Sequence, residues 1–263
     1  MIPKPYIAKW QQYSPWKHFY QVEQDLVISR VLVEIFSDKF LRNKLAFRGG
    51  TALHKLFLSP AVRYSEDIDL VQIKTEPIKP VMERLNEVIT FFEKPRKTQI
   101  KGHGAKIFYR FISEYESIPL RLKIEINCKE HLNILGWENI DFSVSNEWFS
   151  GKAEIKTYNI NELLGTKLRA VYQRSKGRDL FDLYYSKNNI KLNLNQIVDC
   201  FKQYTEFGTG KRPPSKKEFL LNIEEKEKSL DFTGDMEALL RTEIEYNYAD
   251  AFEWLKTELI PLL

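Results

Sequence analysis

Two aspartates one residue apart, Asp67 and Asp69, stand in the apolar run "SEDIDLVQ" and could do chemistry together. If the run is a strand, both carboxylates leave from one face, about 7 Å apart along the backbone. Charge set among apolar residues needs a positive partner. An arginine such as Arg48 or Arg63 could supply it, or a divalent cation could. Mg2+ takes oxygen ligands, commonly one or two carboxylates plus substrate phosphates. A third acid, Glu125, lies in "LRLKIEIN", where Leu120, Leu122, Ile124 and Ile126 alternate with Arg121, Lys123, Glu125 and Asn127. That alternation puts the polar set on one face. With the two strands as neighbours, three carboxylates would suit a two-metal site that clamps both ends of a phosphoryl or nucleotidyl transfer.

Upstream, "FRGGTALHKL" supplies the complementary feature. A short strand, Lys44 to Arg48, passes through Gly49-Gly50 into a helix reaching about Phe57, which offers backbone N–H groups to an anion. Glycine lets a phosphate come close to the chain. Thr51 adds a hydroxyl, and Lys55, one turn on, could reach the same phosphates. The spacing excludes several alternatives. A P-loop needs glycine immediately before its lysine, where this chain has His54. An EF-hand needs further oxygen ligands after "DID", where Leu70, Val71 and Gln72 follow. The Glu-x-Lys order of many nucleases is reversed in Lys123-Ile124-Glu125.

The elements that must hold these residues follow from periodicity. Val22, Leu26, Val27, Val31, Leu32 and Ile35 recur at helical spacing and predict a helix from about Pro15 to Phe40. Further strands are expected at "DIDLVQ", "AKIFYRFI" and "LRLKIEIN", with a helix between Pro80 and Phe92. Near residue 155 the pattern turns wholly helical. Helices are expected at Ile160–Arg174, Arg178–Ser186, Leu194–Tyr204, Lys216–Lys228 and Ile244–Leu259, the first opened by a capping pair, Asn159 and Glu162. The reading is therefore an α+β fold: a mixed α/β domain over 1–155 and an all-helical domain over 156–263.

Composition narrows the class. A 43% hydrophobic and 29% charged chain folds as a globular protein rather than remaining disordered. The start, "MIPKPYIAKWQQY", lacks a signal peptide's apolar core, and no run of about 18 apolar residues spans a membrane. Cys128 and Cys200, far apart, fit a reducing cytoplasm, and the four histidines show no zinc spacing. Positive charge gathers in Glu93–Lys106, Thr166–Arg178 and Gly210–Lys217, whereas Glu224–Glu258 is acidic. Basic clusters suit a polyanion such as a nucleotide or RNA, and equally a solvated surface.

"FRGGTALHKL", "RYSEDIDL" and "KLRAVYQRSKGRDLFDLYY" together resemble the AbiEii family of nucleotidyltransferase toxins, within the DNA polymerase β-like superfamily. The resemblance runs from about Asp25 to Tyr185, and the loop between Gly50 and Asp67 is longer than in many polymerase β-like enzymes. It implies a polymerase β-like mixed sheet flanked by helices, then a helical domain. It also implies a cytoplasmic bacterial toxin that moves a nucleotide from an NTP, with Mg2+ or Mn2+, to an acceptor such as the 3′ end of tRNA. A cognate antitoxin would be its partner. Carried over by residue, Gly49, Gly50 and Thr51 would hold the triphosphate, and Asp67, Asp69 and Glu125 the metal. Lys167 and Asp182 would belong to the active site, with Lys167 reaching the NTP phosphates. Arg174, Lys176 and Arg178 would line the rim where RNA enters. Rival readings are a small-molecule nucleotidyltransferase of the antibiotic-modifying kind, and a non-catalytic NTP- or RNA-binding protein.

Overall fold

The alternation in "LRLKIEIN" is realised at the middle of a seven-stranded sheet. The structure, a computed structural model, describes residues 1–92, 97–102, 104–236 and 238–263. Residues 93–96 and His103, in the first basic run, and Glu237, in the acidic stretch, lie outside the described residues. Contacts divide the chain into two compact units, Met1–His131 with Trp137–Tyr158, and Leu132–Gly136 with Asn159–Leu263.

In the first unit the elements run α1 (Lys4–Trp10), α2 (Phe19–Ser37), α3 (Lys39–Arg42) and β1 (Leu45–Arg48). There follow α4 (Gly49–Ala52), continued by a π-helical turn at Leu53–Phe57, β2 (Asp67–Gln72) and α5 (Lys79–Val88). The strands β3 (Lys97–Lys101), β4 (Gly104–Ile112), β5 (Pro119–Asn127), β6 (Trp137–Ser145) and β7 (Ser150–Tyr158) complete it. The sheet order is β3-β4-β5-β2-β1-β7-β6. β2 runs parallel to β5 and β1 to β7; the other pairs are antiparallel.

α2 is shorter than its apolar pattern predicts. It ends at Ser37 because Asp38 leaves helical geometry and caps α3, its carboxylate accepting from the Leu41 N–H at 2.9 Å. It is also buried on nearly every side, polar residues included, since the strands β5, β6 and β7 and the helices α1, α3 and α5 all pack against it. Those polar groups are bonded, as burial demands. Gln24 donates to the carbonyls of Glu66 and Arg121 at 3.2 Å each, tying α2 to the approach to β2 and to β5. α5 stops at Val88 rather than Phe92, and Phe92 stacks on Tyr109 at 4.6 Å between centroids.

Glu23 on α2 is fully buried and accepts from the Ser113 hydroxyl at 2.8 Å and the Glu114 N–H at 3.0 Å. Burial pushes its pKa up to about 7, against the pull of the Ser113 hydrogen bond. The unfolded chain thus loses this proton at lower pH than the folded one. The stability it carries is full below the ordinary glutamate range and is lost as pH rises to about 7. Glu23→Gln, which cannot titrate, should gain on the order of 2 kcal/mol relative to wild type between pH 5 and pH 8, read by urea unfolding.

The second unit is helical: α6 (Ile160–Gln173), α7 (Gly177–Asn189), α8 (Leu194–Thr209), α9 (Lys216–Glu227), α10 (Leu230–Thr233) and α11 (Tyr248–Trp254). α8 runs to Gly210, whose left-handed φ of 67° ends it, and α11 starts at Tyr248 because Asn247 caps it. The capping pair expected at Asn159 and Glu162 is only half formed. Asn159 accepts from the Asn161 N–H, but Glu162 turns to the Leu132–Gly136 segment. There it accepts from the N–H groups of Ile134 and Leu135 and from the Tyr204 hydroxyl at 2.7 Å. Three donors outbid a single cap for a fully buried carboxylate. Among the described residues no helix is long and apolar enough to cross a membrane.

Candidate active site

Strand register, rather than proximity in sequence, assembles the site. Arg48 pairs with Asp69, Asp69 with Glu125, Glu125 with Lys106, and Lys106 with Gln99. Directly paired residues share a face, so these five form a straight row across β1, β2, β5, β4 and β3. Asp67 pairs with Lys123, one step along the same face. Asp67, Asp69 and Glu125 therefore stand on one surface of the sheet.

The row begins at the glycine turn. Gly49 has φ +81°, in the region that favours glycine, and a Cβ built on it would lie 2.3 Å from Asp69 Oδ2. No other residue allows β1 to turn into α4 against that carboxylate. Thr51, 2% exposed, donates to the main-chain carbonyl of Asp67 at 2.5 Å and lies 2.7 Å from the Ser65 hydroxyl. Its hydroxyl, expected beside the phosphates, ties the glycine turn to the start of β2.

Electrostatics within the row are uneven. Burial, and then the charge of Asp67, raise the Asp69 pKa, with Arg48 and Lys123 opposing. Lys123 Nζ lies 2.9 Å from Asp67 Oδ2 and 3.1 Å from Glu125 Oε2, so one ammonium bridges the two acids. Burial works against that ammonium, but Asp67 and Glu125 outweigh it and hold its pKa above the usual lysine value. For Glu125, burial is likewise outweighed, here by Lys106 at 3.0 Å and Lys123, and its pKa falls below the usual range.

The three acids expected to enclose a metal share a face without closing around a point. Among the described residues no three histidine, cysteine or carboxylate side chains form a ready metal cage. Lys123 is the reason, since its amine stands between Asp67 and Glu125. The donor set still fits a hard cation. It is all oxygen, and Asp69, whose ionised form burial and then the charge of Asp67 disfavour, is a carboxylate that Mg2+ or Mn2+ would stabilise. Lys123 was legible on the polar face of its strand, yet nothing in the sequence marks it as a bridge.

Lys55 has a buried partner. Its amine lies 2.8 Å from Asp25 Oδ2 and 3.0 Å from the Ser29 hydroxyl, both on α2. A buried aspartate there demands a counter-charge, and Asp25 is 4% exposed.

Within the second unit, Lys167 Nζ lies 3.1 Å from Asp179 and 2.8 Å from Asp182, all three buried. Arg174 grips Asp179 with two nitrogens at 2.6 and 2.8 Å. Burial raises the Asp179 pKa, but Lys167 and Arg174 outweigh it and leave it below the usual range. The cations expected as a free rim are thus engaged. Besides Arg174, Lys176 and Arg178 lie 3.3 and 3.8 Å from Asp235, while remaining 47% and 38% exposed. Asp235 is the member of this network that no sequence motif marks.

Known proteins place this architecture. A comparison with curated proteins finds no match. The fold is similar to MenT4, a nucleotidyltransferase toxin from Mycobacterium tuberculosis, with a TM-score of 0.69 at 17% identity, over 100% of this chain and 91% of that one. It is also similar to JHP933 from Helicobacter pylori, with a TM-score of 0.59 at 17% identity, over 92% and 91% of the two chains. At that identity the likeness is one of fold. The sequence itself matches, over residues 30–258, the family model described as "Nucleotidyl transferase AbiEii toxin, Type IV TA system". The chain therefore belongs to the AbiEii family and is a nucleotidyltransferase toxin of the type IV toxin–antitoxin class.

Proposed function

We propose that this nucleotidyltransferase moves an NMP from an NTP to a hydroxyl at the 3′ end of a tRNA, as the toxin of an abortive-infection system with a cognate antitoxin in the cytoplasm. The observation that carries the reading is the row that starts at Gly49 and runs through Asp69 to Glu125. MenT4, of like fold, is itself a nucleotidyltransferase toxin.

The acceptor oxygen attacks the α-phosphorus and gives up its proton to Glu125 or to solvent, the bond to the bridging oxygen of the β-phosphate breaks, and pyrophosphate leaves. Gly49 and Gly50 receive the leaving phosphates on main-chain N–H groups, since no side chain there blocks them. Asp67, Asp69 and Glu125 would hold Mg2+ or Mn2+, which when bound neutralises charge on the transferring phosphoryl group. Glu125, kept ionised by Lys106 and Lys123, accepts the hydrogen bond of the acceptor hydroxyl and orients it. Lys167 and Asp182, which the family motif implies for the active site, form a buried ion pair at 2.8 Å. Catalysis on this account is positioning and charge neutralisation rather than covalent chemistry.

The test offers each of four α-labelled NTPs, with Mg2+, to total tRNA, to periodate-oxidised tRNA lacking the terminal diol, and to small aminoglycoside-type acceptors. The expected result is label on intact tRNA from one or two NTPs and none on oxidised tRNA. Label on a small acceptor alone would replace the tRNA reading, and label on nothing would overturn it.

A further inference from the structure

The row continues past Glu125 onto the two strands at the sheet's β3 edge. Lys106 and Gln99 carry it outward, and two residues along, Asn127, Gly104 and Lys101 form a second row on the same face. With Lys129 they line a cleft of about 410 Å³ bounded by Glu125, a size typical of ligand sites. Gly104 leaves the cleft open. A Cβ there would meet only two main-chain oxygens, at 3.7 and 4.0 Å, so a larger side chain would enter the space without strain. Asn127 accepts from the N–H groups of Lys129 and Glu130, which fixes the turn that carries Lys129.

Charge in the cleft is unbalanced. Its acids are already engaged, Glu125 by Lys106 and Lys123, Glu130 by Arg48 and the Asn127 amide. Lys101 and Lys129 are exposed, and among the described residues neither has a carboxylate partner.

We infer that this cleft is the acceptor site, taking the sugar–phosphate backbone just before the 3′-hydroxyl of a polynucleotide. The inference rests on the transferase reading and adds direction to it. In phosphoryl transfer the entering and leaving oxygens stand roughly in line across the phosphorus. With leaving phosphates at Gly49, on the β1 side of Asp69, the entering hydroxyl comes from the β5–β4 side, where Glu125 borders the cleft. A neutral small acceptor would gain little from two lysines that have no carboxylate partner among the described residues, whereas a backbone phosphate pairs with them directly.

Two variants test it, Lys101→Ala with Lys129→Ala, and separately Gly104→Leu. Binding of a 5′-fluorescein single-stranded RNA with a free 3′-hydroxyl is followed by anisotropy at several salt concentrations. Binding of a fluorescent Mg·NTP analogue is followed in parallel. The double variant should bind RNA about tenfold more weakly, with the slope of log affinity against log salt reduced by about 1.4. Gly104→Leu should weaken RNA binding by obstruction, and both variants should keep NTP affinity within about twofold. Where wild type transfers label, KM for RNA should rise while kcat holds. RNA affinity unchanged in both variants, no RNA binding by wild type, or a loss confined to NTP affinity would each overturn the assignment. RNA binding that depends on the cleft, in a wild-type protein that transfers no label, would overturn the transferase reading and leave the site standing.

Discussion

Lys167→Met should destabilise the helical unit by about 3–5 kcal/mol, the usual cost of removing one partner from a buried ion pair. Lys167 is 6% exposed, and Asp179 and Asp182 are fully buried. Methionine fills much of the lysine's volume, so packing survives and the loss is electrostatic. Arg174 still neutralises Asp179, and the loss falls on Asp182, which gives up the ammonium at 2.8 Å. Adding Asp182→Asn should therefore recover part of the loss. The network is also acid-sensitive. Because the folded Asp179 pKa lies below its ordinary value, its contribution is full at neutral pH and is lost as pH falls through the carboxylate range. Urea titration of the three proteins at pH 7 checks this. A loss below about 1 kcal/mol would mean that the pair behaves like a solvated surface bridge.

Gly49→Ala should have the larger effect on catalysis. The new Cβ would sit 2.3 Å from Asp69 Oδ2 and 3.0 Å from the Asp69 Cβ, on a backbone at φ +81°. Left-handed backbone alone costs alanine about 1–2 kcal/mol. The collision adds displacement of the very carboxylate the site depends on, and misplacement of this size lowers transfer by about 10²-fold. Gly210→Ala separates the two causes, since Gly210 is also left-handed, at φ +67°, but nothing lies within 4 Å of a Cβ there. It should lose stability and keep its transfer rate. Equal losses of activity in the two variants would show that the Asp69 contact is irrelevant.

How far these features can be read from sequence depends on where their causes lie. The "DID" strand, the glycine turn and the "LRLKIEIN" strand were legible because side-chain period and glycine chemistry act over a few residues. β6 and β7 were not. Ile140, Phe142 and Val144 in "WENIDFSVS" and Ala153, Ile155 and Thr157 in "SGKAEIKTY" do alternate, but over shorter runs and with half-exposed, partly polar members, a weaker signal than "LRLKIEIN". β3, at the sheet's edge, is exposed along its whole length. The Lys55 pairing was not legible because its partner, Asp25, lies 30 residues earlier on α2, a contact that only tertiary structure creates. Glu162 satisfied the pattern of a cap yet bonds a segment nearly 30 residues upstream. Lys123 sat on the expected face, but its bridging of Asp67 and Glu125 depends on the parallel register of β2 and β5.

The most direct measurement is single-turnover transfer of α-labelled NMP by wild type and Asp69→Asn, with thermal unfolding of both. Asparagine keeps the shape beside Gly49 and removes a charge that burial and Asp67 disfavour. The variant should fold at least as stably as wild type and transfer about 10³-fold more slowly. Transfer within tenfold of wild type, in an equally stable variant, would contradict the assignment of this row of carboxylates as the catalytic centre.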